Sequence, residues 1–281
     1  MPLLLSPSAA VGNGPLAIDL TGIVPDRVAG RTAIEVARLE IGADGCRLPL
    51  GDLFDVEGTA DDGLLLCAGD FSRVHGIGAG MREGTIAVRG SVGRHAGAGM
   101  AGGTLTVDGS AGDWLAAAMT GGRVLVEGHA GDNVAAGLPG SDSGVRGGLI
   151  VINGDVGCLA GSRMRRGLLG IAGSCGDGAA FEMRAGTVFV AGQVGRHAGL
   201  GMRRGSLVAV SSIPEMPPTF SRGAAWSPGV LPLLAGRLAR AGLRAAAARA
   251  AGDGGGTWQQ WHGDLLAGGR GEIFHRVGPD A

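Results

Sequence analysis

From Met81 onward one pattern of apolar and polar positions repeats along the chain. A methionine, replaced once by Val145, opens each copy and a glycine follows three residues later. Apolar residues then alternate with polar or small ones: Ile86 and Val88, Leu105 and Val107, Val124 and Val126, Ile150 and Ile152, Val188 and Val190. Period-two alternation over a short run bounded by glycines predicts a β-strand with one buried face. The first glycine recurs at Gly84, Gly103, Gly122, Gly148, Gly167, Gly186 and Gly205, with gaps of 19, 19, 26, 19, 19 and 19 residues. The longer gap is one period plus a seven-residue insertion, Leu138–Gly144. A second glycine keeps step at Gly93, Gly112, Gly131, Gly157, Gly176 and Gly195.

One such strand cannot bury its apolar face alone, but a stack of equivalent strands can. Parallel stacking at the usual ~4.8 Å spacing turns Ile86/Leu105/Val124 and Val92/Ala111/Ala130/Val156/Cys175/Val194 into ladders within one core. Glycines would then serve corners of positive φ and close approaches between coils. A period of 19 residues does not register with the three hexads of a left-handed hexapeptide-repeat coil. Parallel crossovers are normally right-handed. The predicted fold is therefore all-β, a right-handed parallel β-helix of 19-residue coils, with a mixed N-terminal cap and a C-terminal helical extension.

Three segments follow from the limits of the repeat. Residues 1–60 form a capping segment, in which Thr32–Ile41 reads as strand-like. Residues 61–213 form the β-helix, with Gly63–Gly80 as a degenerate first coil. Residues 214–281 form the extension. The repeat dissolves at the Pro-rich SSIPEMPPTF, and Gly229–Gly252 then reads as a helix. Leu231, Leu234 and Leu238 mark one face of that helix; Arg237, Arg240 and Arg244 mark another.

Composition narrows the function classes. With 58 glycines and 12 prolines among 281 residues disorder is worth considering, but 45% hydrophobic content requires a core. All 24 basic residues are arginine, and they balance 25 acidic ones to a net charge of −1. That balance, with no tyrosine and 4% aromatics, argues against a nucleic-acid binder. No apolar stretch is long enough for a membrane span, and the N-terminus lacks the basic region of a signal peptide. Cys46, Cys67, Cys158 and Cys175 form no CxxC pair, which fits free thiols in a reducing cytoplasm.

Each copy also carries a GxxGxxxG element: Gly90-Ser-Val-Gly93-Arg-His-Ala-Gly97, Gly154-Asp-Val-Gly157-Cys-Leu-Ala-Gly161 and Gly192-Gln-Val-Gly195-Arg-His-Ala-Gly199. Ala116, Ala135 or Ala180 replaces the third glycine in the other copies. This resembles the C-terminal β-helix of the glutamate synthase large subunit and the C subunit of formylmethanofuran dehydrogenase. Three features favour the second: the freestanding chain, the opening Val74–Met81 (VHGIGAGM), and the closing Trp261–Phe274 (WHGDLLAGGRGEIF), with Arg270 where lysine is common. The all-arginine composition tips the reading towards the C subunit of the bacterial formyltransferase/hydrolase complex. The resemblance implies a non-catalytic scaffold in a complex that moves a formyl group from formyl-tetrahydromethanopterin to a methanofuran-like carrier and releases formate. Implied partners are an amidohydrolase-like hydrolase, a formyltransferase and a dehydrogenase-B-like subunit. The carrier and a zinc-type metal would belong to those partners. The tungsten or molybdenum dehydrogenase and a detached glutamate-synthase-type β-helix stay as alternatives.

No catalytic residue and no metal ligand is expected in this chain. The ladder Met81, Met100, Met119, Met164, Met183 and Met202, interrupted by Val145, reads as core packing rather than thioether ligation. Arg94, Asp113, Asp132, Cys158, Asp177 and Arg196 share one column, which reads either as surface ion pairs between rungs or as an anion site. Asp113 and Asp132 as the paired acids of a polysaccharide hydrolase are disfavoured by the missing leader and tyrosines. Arg165, Arg184 and Arg203, flanked by Arg166 and Arg204, stack at one corner with Arg163 nearby. These stacked arginines, with Arg94 and Arg196, are the candidate contacts for an acidic partner surface or for the carrier's glutamyl chain. The insertion reads as a tolerated loop or a point of contact with a neighbouring subunit.

Overall fold

The computed structural model describes residues 1–9, 11, 17–211, 213–244 and 256–277. Its strands are β1 (Leu3–Pro7), β2 (Ile18–Asp19), β3 (Glu40–Ala43), β4 (Cys46–Pro49), β5 (Phe54–Glu57), β6 (Leu64–Ala68), β7 (Val74–His75), β8 (Thr85–Arg89), β9 (Thr104–Val107), β10 (Arg123–Val126), β11 (Leu149–Ile152), β12 (Leu168–Ile171), β13 (Thr187–Val190), β14 (Arg204–Ala209), β15 (Ser221–Trp226), β16 (Trp258–Gly263) and β17 (Arg270–Arg276). The helices are α1 (Pro25–Val28), α2 (Ala33–Ala37) and α3 (Val230–Arg240).

Thirteen of these strands form one sheet in the order β15-β16-β17-β14-β13-β12-β11-β10-β9-β8-β6-β1-β5. From β1 to β17 along that order every pairing is parallel, and equivalent repeat residues face each other. Ile86 pairs with Leu105, Leu105 with Val124, Val124 with Ile150, and so on to Leu207 with Ile273. A second column of parallel bridges runs Phe71, Val92, Ala111, Ala130, Val156, Cys175 and Val194. Both columns point into one continuous core. Its ladder residues are essentially inaccessible, as are the methionines Met81, Met100, Met119, Met164, Met183 and Met202.

The methionines explain part of the glycine ladder. At Gly205 φ is +97°, and a Cβ would stand 2.8 Å from the Met183 ε-methyl and 2.7 Å from the Gly186 carbonyl oxygen. The methyl groups of Met81, Met119 and Met164 lie the same way over Gly103, Gly148 and Gly186, where a side chain would crowd them, so Met and Gly repeat together. Ala116, Ala135 and Ala180, in the third-glycine column, sit at φ of 53–59°. Alanine tolerates that left-handed conformation at a cost of ~1–2 kcal/mol.

At the N-terminal end β1 adds parallel to β6, and β5 closes the sheet antiparallel to β1. A small sheet, β4-β3-β2-β7, covers the same end. The strand-like reading of Thr32–Ile41 holds only at its end, where Glu40 and Ile41 begin β3. Residues 33–37 are helical because Thr32 caps them: its side chain accepts from the Glu35 N–H while the Glu35 carboxylate accepts from the Thr32 N–H. That reciprocal capping outweighs the β-branched residues of the segment.

At the other end the chain leaves the stack after β14 and returns as β17, parallel to β14, with β16 and β15 added antiparallel. Helix α3 lies on the outer face of the late strands. Leu231, Ala235 and Leu238 pack on Val151, Leu168, Phe189 and Val208 as a second buried cluster. Gly170 makes room for it, since a Cβ there would meet Leu238 Cδ2 at 2.5 Å. The helix is shorter than its apolar pattern predicts. Gly242, at φ +100°, ends it, and the Leu243 N–H turns back to the Leu238 carbonyl. Residues 245–252 of the expected helix lie outside the described residues.

Candidate interaction surface

Two side-chain ladders occupy the corners where the strands break. In the Arg94 column, Asp113 Oδ1 accepts from the Asp132 N–H (3.0 Å), Asp132 Oδ1 from the Cys158 N–H (2.7 Å), and Asp177 Oδ1 from the Arg196 N–H (2.7 Å). One coil earlier, His75 Nδ1 accepts from the Arg94 N–H at 2.9 Å. Burial and the Arg94 charge hold His75 below its ordinary pKa. A neighbouring ladder does the same with Ser91, Ser110, His129, Asp155 and Ser174. These side chains supply acceptors for N–H groups at corners where the inter-strand ladder is interrupted.

The ion pairs expected along the Arg94 column divide accordingly. Arg94 Nε lies 3.5 Å from Asp113 Oδ2, an exposed contact worth ~0–1 kcal/mol. Arg196 meets Asp177 through its main-chain N–H rather than its guanidinium. Arg94 and Arg196 are five rungs apart in this column, so the structure does not bring them together.

The remaining candidates do converge. Each residue of the Arg165/Arg184/Arg203 column donates its main-chain N–H to the residue that opens the preceding coil: Arg165 to Val145, Arg184 to Met164, Arg203 to Met183. Arg146 donates likewise to Met119, which places it in the same column, although it is not among the residues expected there. The signal was available: Arg146 stands one 19-residue period before Arg165, just after the insertion. Arg166 and Arg204 sit one residue further on, and Arg204 pairs with Arg270 of β17. Only the returning tail puts Arg270 here. Arg165, Arg166, Arg203, Arg204, Arg146 and Arg270 are exposed and Arg184 is half-buried. Among the described residues no ion pair joins any of these seven to a carboxylate.

Arg163 has another role. Its Nε meets Glu182 Oε2 at 2.7 Å, and its Nη1 donates to the Ser141 carbonyl at 3.2 Å. It therefore ties the insertion to the stack.

Arg184 and Arg203 line a recess of about 320 Å³ with Glu182, Gly201, Asp264, Leu266 and Ala267. Asp264 is buried and fixes the floor: Oδ2 accepts from the Gly201 N–H at 3.1 Å and Oδ1 from the Leu266 N–H at 2.9 Å. Its own N–H donates to the Met202 carbonyl, and the Leu265 N–H donates to that of Thr219. The short 3₁₀ turn Leu265–Ala267 is thereby pinned to the last coil, with Leu266 87% exposed on its rim.

Other chemistry is sparse. Burial pushes the Cys67 and Cys175 thiols up to about 12, so both are inert at neutral pH. Among the described residues no three of His, Cys, Asp and Glu converge as for a metal ion. No helix among them is long and apolar enough to cross a membrane. A polar cleft of about 470 Å³ lies where Arg244 crosses the late strands, but its groups are mutually satisfied. Asn153, for example, binds Glu127, the Gly242 carbonyl and the Arg244 N–H.

Comparison with known proteins bears on this architecture. No protein-family model matches the chain. The C subunit of the formyltransferase/hydrolase complex Fhc from Methylorubrum extorquens is 39% identical over 83 residues, 30% of this chain and 31% of that protein. The C subunit of the molybdenum-containing formylmethanofuran dehydrogenase 1 of Methanosarcina barkeri is 33% identical over 97 residues, 33% of this chain and 31% of that protein. The aligned segments thus span under a third of the curated relatives. A chain in the crystal structure of the formyltransferase/hydrolase complex FhcABCD from Methylorubrum extorquens, bound to methylofuran, superimposes with a TM-score of 0.87. It is 36% identical, and the match covers 98% of this chain and 100% of that one. The parallel stack, the returning tail and this whole-length likeness together show that the chain belongs to the C-subunit family of formyltransferase/hydrolase complexes and formylmethanofuran dehydrogenases.

Proposed function

We propose that this chain is the scaffold subunit of a cytoplasmic formyltransferase/hydrolase complex in one-carbon oxidation. The complex transfers a formyl group from formyl-tetrahydromethanopterin to a methanofuran-like carrier and hydrolyses it to formate. The observation that carries the reading is the whole-length match to a chain of the methylofuran-bound FhcABCD complex. In this reading the stack is a right-handed parallel β-helix with 19 residues per coil. A cap through residue 60 and an extension from residue 214 bound it. The chain itself is non-catalytic. The amidohydrolase-like subunit, with its zinc-type metal, the formyltransferase and the dehydrogenase-B-like subunit are its partners.

A rigid stack suits that role, because partners fixed on one frame keep a tethered carrier at high effective concentration between their sites. The arginine edge, with Arg165, Arg184, Arg203, Arg166 and Arg204, supplies anion contacts to a partner or to the carrier. Arg94 and Arg196 contribute at the other corner.

A second reading, the C subunit of a tungsten or molybdenum formylmethanofuran dehydrogenase, is favoured by the identity to the equivalent subunit of the molybdenum enzymes. One experiment separates the two: purify the tagged chain from its host, then assay the recovered complex for metal and formate. A zinc-type hydrolase and a formyltransferase, releasing formate without an electron acceptor, are expected. Molybdenum or tungsten with acceptor-dependent turnover would select the second reading. Recovery of the chain alone would overturn both.

A further inference from the structure

The arginine edge ends on an apolar feature that an anionic chain alone would not use. Arg146, Arg165, Arg184 and Arg203 follow one another on successive rungs, a run of ~15 Å at ~4.8 Å per rung. Arg270 continues the positive edge beside Arg204. In a chain of net charge −1, this is a concentrated positive stripe, and among the described residues no carboxylate pairs with it. At its end stands Leu266, 87% exposed, with Leu265 beside it at 57%. Hydrogen bonds through Asp264 and Thr219 hold the turn that carries them. A leucine held out to water by an ordered turn stands beside a recess lined by Arg184 and Arg203. The two carboxylates that share the recess are already engaged, Glu182 by Arg163 and Asp264 by main-chain N–H groups. An apolar anchor is thus set next to the arginines that protein interfaces favour.

We propose that this edge docks an acidic polypeptide segment of a partner subunit. The segment runs along the stack, with its carboxylates on Arg165, Arg184 and Arg203 and an apolar side chain on Leu265 and Leu266. This deepens the assembly reading above and rests on it. Charge complementarity calls for the acids, and the leucine turn calls for a protein rather than a glutamyl chain, whose side chains are all anionic.

The test uses the complex assembled in its host with a photo-crosslinking residue at Leu266, and a second variant carrying it at Arg184. Both positions lie on the surface edge, so the fold should tolerate them. Mass spectrometry should identify one partner-subunit peptide at both positions, with several Asp or Glu within about ten residues of the crosslink. Arg165→Glu combined with Leu266→Ser should weaken retention of that subunit at least tenfold, and moderate salt should do the same to the wild type. An intact complex that crosslinks to no protein at Leu266, crosslinks only to carrier, or crosslinks to a peptide without acids would overturn the inference and leave the assembly reading standing. Recovery of the wild-type chain without partners would instead remove the assembly reading.

Discussion

The early and late rungs are built from the same repeat, yet their outer faces differ. On β8 and β9 the outward residues are Ala87 and Thr106, half-buried, and burial alternates along the strand. On β11, β12, β13 and β14 the outward residues are Val151, Gly170, Phe189 and Val208, all buried beneath or beside α3. The inner faces are alike throughout. A repeat therefore specifies its own core face, while the other face is free to diverge. Here the divergence turns half of a solenoid into a platform for a helix. The early rungs keep an outer wall of small, partly exposed residues.

The largest expected break in this comparison is Phe189→Ala, which should cost ~3–5 kcal/mol because the cavity opens between sheet and helix. Thr106→Ala at the equivalent outward position of an early rung should cost no more than ~1 kcal/mol, the worth of its long hydroxyl bond to the Ile86 carbonyl. Denaturant midpoints of the two variants measure the contrast, and equal losses would mean that α3 does not cover the late rungs. A smaller effect is expected from Gly170→Ala. The new methyl would press on Leu238 Cδ2, so a loss of ~1–3 kcal/mol should follow. Leu238→Ala, introduced into the same protein, should relieve the clash, giving a double-mutant cycle that departs clearly from additivity.

The smallest effect concerns the entrance of the stack. His75 must be neutral at Nδ1 to accept the Arg94 N–H, and its pKa in the folded protein is lowered. Between that value and the unfolded ~6.5 the unfolded chain binds more protons, so stability falls as pH drops through this window. Thermal melts from pH 7.5 to 5 should show a downward slope that His75→Gln reduces. An unchanged slope would rule out His75 as its source.

Much of this was legible beforehand. The glycine spacing placed the inward ladders of the repeat, such as Ile86/Leu105/Val124 and Val92 to Val194, and the methionine ladder followed with it; Leu5 and Phe54 of the cap join the same core with no period to announce them. Arg165, Arg184 and Arg203 fell into one column because columns are what a repeat defines. The corner aspartates were legible as a column but not in their role. Nothing in the order of residues says that Asp132 spends its carboxylate on the next rung's Cys158 N–H rather than on an arginine. That depends on which main-chain groups the corner leaves without a strand partner.

What the sequence determined by itself is the periodic part. Each repeat interacts with copies of itself, so its contacts are written in its own spacing and reading one coil amounts to reading the stack. The tertiary structure alone decided the non-periodic part: that the tail returns as β17 and brings Arg270 beside Arg204, that α3 lies over Phe189, and that Leu266 is held out beside Arg184 and Arg203. Those contacts join segments with no shared period, and an apolar stripe on a helix states that it will be buried without stating against which face. The choice is made by the complementarity of whole surfaces, which forms only once the stack exists.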